Sequence, residues 1–184
     1  MESISARYRR ASDGFTARVD EIHGDMWERP APCEGWVARD VIHHVVEWMP
    51  AFLTSGGGPE IAVGPSVDDD PAGAWRALDT GIQTLLDDPA AAASTIAHPY
   101  AGTHRLDDAV DTFFLGDIIV HTWDLARAAG LDETLDPSLV HDMLVGIEPM
   151  DDVLRASGQF GPRVQVAADA DEQTRLIAFT GRTP

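Results

Sequence analysis

Two carboxylates and an imidazole recur along one face of a predicted helix in the middle of the chain. Residues 106–129 contain no proline, and Gly130 follows them as a C-cap, so this segment predicts one long helix. An advance of about 100° per residue places Asp117, His121 and Asp124 in the stripe where apolar side chains should lie. Burying such groups is unfavourable unless they are hydrogen-bonded, paired or bound to a metal. A metal site is the sharpest explanation.

The residue types and their spacing suit a divalent ion held between helices. Bundles hold such ions through imidazole and carboxylate groups on facing helices, and the four-residue spacing of Asp117 and His121 puts both on one side. A third ligand must come from another helix. His44 is the obvious donor, because it flanks the apolar stripe of a helix predicted at 37–53, whereas its neighbour His43 lies nearly opposite. Two histidines and one carboxylate leave coordination positions open, as in catalytic sites.

The same residues also allow an interpretation without a metal ion. Asp117 and His121 could form a buried hydrogen-bonded pair, with Asp124 in a salt bridge to Arg127 or Arg105. The tryptophans and Cys33 are predicted to pack rather than to react. The other histidines are predicted on the surface or in loops, with two of them candidates for a pocket mouth: His23, His98, His104 and His141.

The remaining pattern predicts an all-α protein. Apolar residues at three- and four-residue intervals predict helices at 4–26, at 37–53 with Pro50 kinking or ending the helix, and at 71–86. Further helices are predicted from 137 onward and at 171–180, and residues 94–105 predict a short hairpin or extended crossover. We expect one domain over residues 1–184, a four-helix bundle with an accessory C-terminal helix.

Composition excludes several classes of function. The 184 residues include 31 acidic and 13 basic side chains, and a net charge of −18 repels nucleic acid and anionic membranes. Apolar runs fall short of the roughly 18 residues of a membrane span, and the N-terminus lacks the apolar stretch of a signal peptide. The single cysteine fits a reducing compartment. We expect a cytoplasmic protein with a small-molecule substrate, and dimerisation is left open.

Five segments together resemble a known family. They are PCEGW at 32–36, RDV at 39–41, His44, GDIIVHTWDLARA at 116–128 and FGPRV at 160–164. This set is similar to the actinobacterial DinB-like proteins, specifically the metal-binding domain of mycothiol-dependent maleylpyruvate isomerase and its single-domain relatives. The resemblance covers almost the whole chain.

The resemblance implies a DinB-like four-helix bundle with an extra crossover and one divalent metal ion, usually zinc or nickel. The family's ligands fall on His44, Asp117 and His121, and Asp117 is one methylene shorter than the family's usual glutamate. Family members that use a low-molecular-weight thiol such as mycothiol have the metal lower the pKa of that thiol. The isomerase itself carries a further C-terminal domain, so the resemblance argues against maleylpyruvate isomerisation here and leaves metal binding intact.

Three hypotheses follow. The first is a metal-dependent enzyme that uses mycothiol as cosubstrate, a transferase or isomerase-like catalyst acting on a small electrophile. The second is a bundle that binds a metal or ligand without turnover. The third is a metal-free protein in which Asp117 and His121 only form a hydrogen bond.

Overall fold

Apolar stripes spaced three and four residues apart give this chain its long helices, as the sequence predicts. A computed structural model describes residues 2–156, 158 and 160–184. The helices are α1 (Ile4–Glu21), α2 (Ala38–Ser55), α3 (Pro71–Asp87), α4 (Pro89–Ala92), α5 (Leu106–Ala109), α6 (Leu115–Ala129), α7 (Pro137–Ile147), α8 (Asp151–Ala156) and α9 (Glu172–Phe179). Within the described ranges, no helix has the length and apolar character needed to cross a membrane.

Shorter elements join these helices. They are 3-10 turns at Gly24–Glu28 and Glu148–Met150, a π-helical turn at Val110–Phe114, and strands β1 (Thr95–His98) and β2 (Gly102–Arg105). The two strands pair antiparallel, with Thr95 opposite Arg105. They form the hairpin crossover expected between the third predicted helix and the Asp117 helix.

Four long helices form the bundle. Helix α1 packs against α3 and α6, and α2 packs against the same two helices, so the order around the bundle is α1, α3, α2, α6. Helices α7 and α9 pack against each other, and α7 also contacts α6. The all-α four-helix bundle is confirmed. Helices α7, α8 and α9 follow the bundle, where the sequence predicts helices from residue 137 onward and at 171–180.

The α1–α3 interface shows ordinary core packing. The rings of Phe15 and Trp75 are both fully buried, and their centroids are 4.4 Å apart. The Trp75 Nε1–H donates to Thr16 Oγ1 at 2.8 Å, so the indole's polar atom is satisfied inside the bundle. Trp75 is therefore a packing residue, as the sequence predicts.

The predicted end of the first helix was wrong, and the second helix does not end early at Pro50. Helix α1 stops at Glu21 instead of residue 26: the backbone is extended at Ile22 and His23, and a 3-10 turn begins at Gly24, whose φ is +55°. Helix α2 runs through Pro50 to Ser55. The proline removes one backbone hydrogen bond, but the completely buried side chains of Met49 and Leu53 hold both sides of it in the core.

The predicted helix at 106–129 forms with one irregularity. A π-helical turn separates α5 from α6, immediately before the segment that carries Asp117. The wider turn lets two adjacent side chains, Phe113 and Phe114, both pack against Phe52, with ring centroids 5.0 and 5.6 Å away. Gly130 ends α6 in the left-handed conformation (φ 74°), as predicted.

Candidate metal centre

Helices α2 and α6 bring the three predicted ligand residues together. His44 Nε2 lies 3.2 Å from Asp117 Oδ2, and His121 Nε2 lies 3.4 Å from Asp117 Oδ1. One donor atom from each of these residues lies within 4.8 Å of the other two. His43 faces away, toward Glu47 and Asp68, as its position on the helix predicts.

The spacing of the donor atoms suits a first-row divalent ion. In a tetrahedral zinc site with bonds of about 2.0 to 2.1 Å, neighbouring ligand atoms are about 3.3 Å apart. The two imidazole–carboxylate distances in this protein, 3.2 and 3.4 Å, lie on either side of that value. Two imidazoles and one carboxylate also form a donor set that zinc, nickel and iron accept. The residues present therefore fit the ion that the resemblance implies.

The centre is closed on one side and open on the other. The side chain of His121 is 5% exposed, whereas those of His44 and Asp117 are 31% and 24% exposed. The ring of Trp36 covers both imidazoles, with centroids 5.3 Å from His44 and 6.0 Å from His121. His44 and Asp117 are therefore the more exposed of the three ligand residues.

Asp117 is held from α2 by an indole. Trp48 Nε1 donates to Asp117 Oδ2 at 2.8 Å, and the Trp48 ring packs edge-on against Phe114. Burial would raise the pKa of Asp117, but His121 and His44 hold it well below its ordinary value. The carboxylate is therefore ionised at neutral pH, as a metal ligand must be.

His121 is oriented by a second carboxylate one turn along α6. Its Nδ1 lies 2.8 Å from Asp124 Oδ2, and since an ionised carboxylate only accepts, Nδ1 carries a proton and donates it. The Nε2 atom is thereby directed at Asp117 and His44. Burial alone would lower the pKa of His121, but Asp117 and Asp124 raise it to about 9. Without a metal the ring is protonated at Nε2 too, and a metal ion would replace that proton.

Asp124 is paired with a residue far along the chain. Arg182 donates from Nε to Oδ1 and from Nη2 to Oδ2, both at 2.7 Å. The expected partners were wrong: Arg127 lies over the Trp123 ring and pairs with Glu133, and Arg105 pairs with Asp107. Burial would raise the pKa of Asp124, but His121 and Arg182 lower it.

Cys33 contacts the same carboxylate from the loop before α2. Its Sγ lies 3.6 Å from Asp124 Oδ2 and 3.4 Å from Arg182 Nη2. Burial and the Asp124 charge raise the pKa of the Cys33 thiol to about 11, although Arg182 opposes this. The thiol is therefore protonated at neutral pH. The donor atoms of Cys33, His121 and Asp124 also lie within 4.8 Å of one another, but Arg182 occupies both Asp124 oxygens.

The remaining histidines lie outside the centre. His98 stacks on Phe52 with ring centroids 4.2 Å apart, and His104 packs edge-on against Phe113. His141 is exposed and bonds to Glu172, and His23 is exposed at the end of α1. None of them belongs to a group of possible metal-ligating side chains among the described residues.

The sequence predicts Trp48, four residues after His44, as a lining residue of the pocket above the metal, but its hydrogen bond to Asp117 was missed. Two further contributors, Cys33 and Arg182, were missed altogether. Cys33 and Arg182 had no such signal, because loop and tail residues have no periodicity that relates them to α6.

Comparisons with known proteins identify the family of the chain. The family model described as the mycothiol maleylpyruvate isomerase N-terminal domain matches residues 8–126. Two relatives from two strains of Mycobacterium tuberculosis, each described as an uncharacterized protein, are 27% identical over 192 residues, which cover 100% of this chain and 99% of each relative. No solved structure matches the chain. Because the family model spans more than half of the sequence, the chain belongs to the mycothiol maleylpyruvate isomerase N-terminal domain family.

Proposed function

We propose that this protein binds one divalent metal ion through His44, Asp117 and His121 and uses it to activate a low-molecular-weight thiol toward a small electrophile. The observation that carries the proposal is the convergence of two imidazoles and a carboxylate at the separation that a metal ion requires, on a partly exposed part of α2 and α6. The family description supports mycothiol as the thiol.

The openness of the centre favours catalysis over a structural ion. Structural sites are normally closed by four protein ligands, whereas three protein ligands leave positions for solvent or substrate. Here the side chains of His44 and Asp117 are 31% and 24% exposed. A divalent ion at this position would act as a Lewis acid that lowers the pKa of a thiol beside it.

The protein's own side chains supply position and protection rather than a nucleophile. Asp124 fixes the His121 ring, Trp48 fixes the Asp117 carboxylate, and Trp36 shields the imidazoles from water. Cys33 is unsuited to attack, because its pKa of about 11 keeps the thiol protonated and it lies against Asp124. A thiol-dependent reaction at this site therefore needs an external thiol.

A metal-free network is the second candidate, and one observation favours it. The protonated His121 ring is bracketed by two carboxylates, 3.4 Å from Asp117 and 2.8 Å from Asp124, so the buried charges already compensate one another. Such a bundle would bind a ligand or stay purely structural. Metal content distinguishes the two candidates directly.

The test is elemental analysis of the purified, untagged protein beside three histidine variants. We expect about one equivalent of zinc or nickel in the wild type and its loss in His44→Ala and His121→Ala, because each removes one of three ligands. His43→Ala is the matched control: it removes the adjacent imidazole on α2, which faces Glu47 and Asp68, and should keep the metal.

The outcome decides between the candidates. No stoichiometric metal in the wild type, even after zinc or nickel is added, would contradict the proposal and leave the metal-free network. Circular dichroism of each variant confirms that the helices are retained. Turnover of mycothiol with a panel of small electrophiles, abolished in His44→Ala, then separates an enzyme from a bundle that only binds the ion.

A further inference from the structure

One arginine side chain of the segment that follows α9 packs into the bundle. Arg182 binds both oxygens of Asp124 at 2.7 Å, and Asp124 is completely buried. The Arg182 side chain is itself only 14% exposed. A planar guanidinium that bonds both oxygens fixes the plane of a carboxylate as well as its position, which a point charge cannot do.

The fixed carboxylate is the one that orients a proposed metal ligand. Asp124 Oδ2 receives the Arg182 Nη2–H and also the His121 Nδ1–H, at 2.7 and 2.8 Å. A rotation of Asp124 would therefore move the hydrogen bond that sets the His121 ring. Partners that orient a metal-binding histidine typically change metal affinity about 10- to 100-fold when they are removed.

The backbone conformation of this segment places the Arg182 side chain beside Asp124. Gly181 has φ +92°, and a Cβ added there would lie 2.9 Å from the Cα of Gly161, so a side chain is excluded on both grounds. The Arg182 N–H bonds to the Ile177 carbonyl at 3.2 Å, and the Val164 N–H bonds to the Ala178 carbonyl at 3.0 Å. The turn after α9 is thus held against residues 161–164 while the guanidinium points inward.

We propose that Arg182 is a positioning residue for the metal centre, acting through Asp124 on His121. The inference rests on the proposed function for its metal readout. It extends the site beyond the region that the family model matches, which ends at residue 126. The competing explanation is that Arg182 only neutralises a buried carboxylate and stabilises the fold.

The experiment compares zinc binding by wild type, Arg182→Met and Arg182→Lys after chelation of endogenous metal. We expect Arg182→Met to bind Zn²⁺ about 10- to 100-fold more weakly than wild type. Arg182→Lys should recover only part of the affinity, because an ammonium group cannot bond both carboxylate oxygens in the same plane. Arg10→Met is the control, since Arg10 also joins two elements by contacting Asp136, away from the centre.

A second readout does not depend on metal. In wild-type protein labelled with ¹⁵N-histidine, the His121 Nδ1–H is buried and bonded to Asp124, so it should give a protected downfield signal. We expect this signal to broaden or vanish in Arg182→Met and to persist in Arg10→Met. If wild type binds no zinc, the proposed function fails, but this comparison still decides the role of Arg182.

Two results would overturn the inference. One is a folded Arg182→Met with wild-type zinc affinity and an unchanged Nδ1–H signal. The other applies if Arg182→Met does not fold: Arg182→Lys with both readouts at wild-type values would show that charge alone is needed and that the geometry of the guanidinium has no positioning role.

Discussion

The α1–α3 interface and the α6 side of the bundle each contain a carboxylate with a shifted pKa, and the two shifts have opposite directions. Burial raises the pKa of Asp79 on α3, and the hydroxyls of Ser12 and Tyr8 and the charge of Arg9 offset this only in part. Burial would also raise the pKa of Asp124 on α6, yet His121 and Arg182 bring it below its ordinary value. Asp124 is the more deeply buried carboxylate and still the one whose pKa is lowered.

The difference between the two pKa shifts indicates the role of the buried carboxylate on α6. A carboxylate that serves only packing needs no cation, and its charge is then a liability. A carboxylate that must orient an imidazole has to remain ionised, so it requires a cation at close range, and Arg182 provides one at 2.7 Å. The same Asp→Asn substitution at the two positions should therefore change stability in opposite directions.

The largest effect is expected for Asp124→Asn. Removing one partner of a buried ion pair leaves Arg182 uncompensated, so the free energy of unfolding should fall by about 3 kcal/mol. Urea unfolding at pH 7 measures it. Asp20→Asn is the control, because Asp20 pairs with Arg76 at the surface, where both side chains are about half exposed, and should cost at most about 1 kcal/mol. Equal losses in both variants would remove the distinction between the two interfaces.

The sequence predicted the polar side chains on the core face of α6, but not the residues that form hydrogen bonds and ion pairs with them. Helical periodicity alone placed Asp117, His121 and Asp124 on the core face of one helix, and the structure brings the first two together with His44. Those placements depend on spacing within a helix, which the chain fixes locally. The four-helix bundle was predictable for the same reason.

Helical periodicity could not predict the partner of Asp124. Arg127 and Arg105 were expected because they are near in sequence, but Arg182 lies 58 positions away, in a turn set by Gly181 and Gly161. A contact between a tail and a helix depends on tertiary packing that no periodicity encodes. Helix α2 continues through Pro50 because the packing of Met49 and Leu53 outweighs the low helix propensity of proline, which the sequence pattern does not show.

The two interfaces also carry matched indole hydrogen bonds, which gives a second test. Trp48 Nε1 donates to Asp117, and Trp75 Nε1 donates to Thr16, each at 2.8 Å. We expect Trp48→Phe to weaken zinc binding on the order of tenfold, since Asp117 loses the donor that orients it. Trp75→Phe should leave zinc affinity unchanged while lowering stability by about 1 kcal/mol through the lost hydrogen bond. Competition titration with a chromogenic chelator measures both affinities, and equal weakening in both variants would contradict a specific role for Trp48.

The smallest effect, opposite in sign to that at Asp124, is expected for Asp79→Asn. The folded-state pKa of Asp79 is raised above the ordinary value of 3.8, so the folded protein binds this proton more tightly than the unfolded chain does. The stability linked to Asp79 is therefore present below about pH 4 and is lost as the pH rises through the raised pKa. An uncharged asparagine escapes that loss, so the variant should be slightly more stable than wild type at pH 7, and the gain should shrink as the pH falls toward 4. Urea unfolding at pH 7 and pH 4.5 measures the difference. A variant less stable than wild type at pH 7, as expected for Asp124→Asn, would mean that the attraction between the Asp79 and Arg9 charges outweighs the cost of burial, and that the two interfaces are more alike than their pKa shifts indicate.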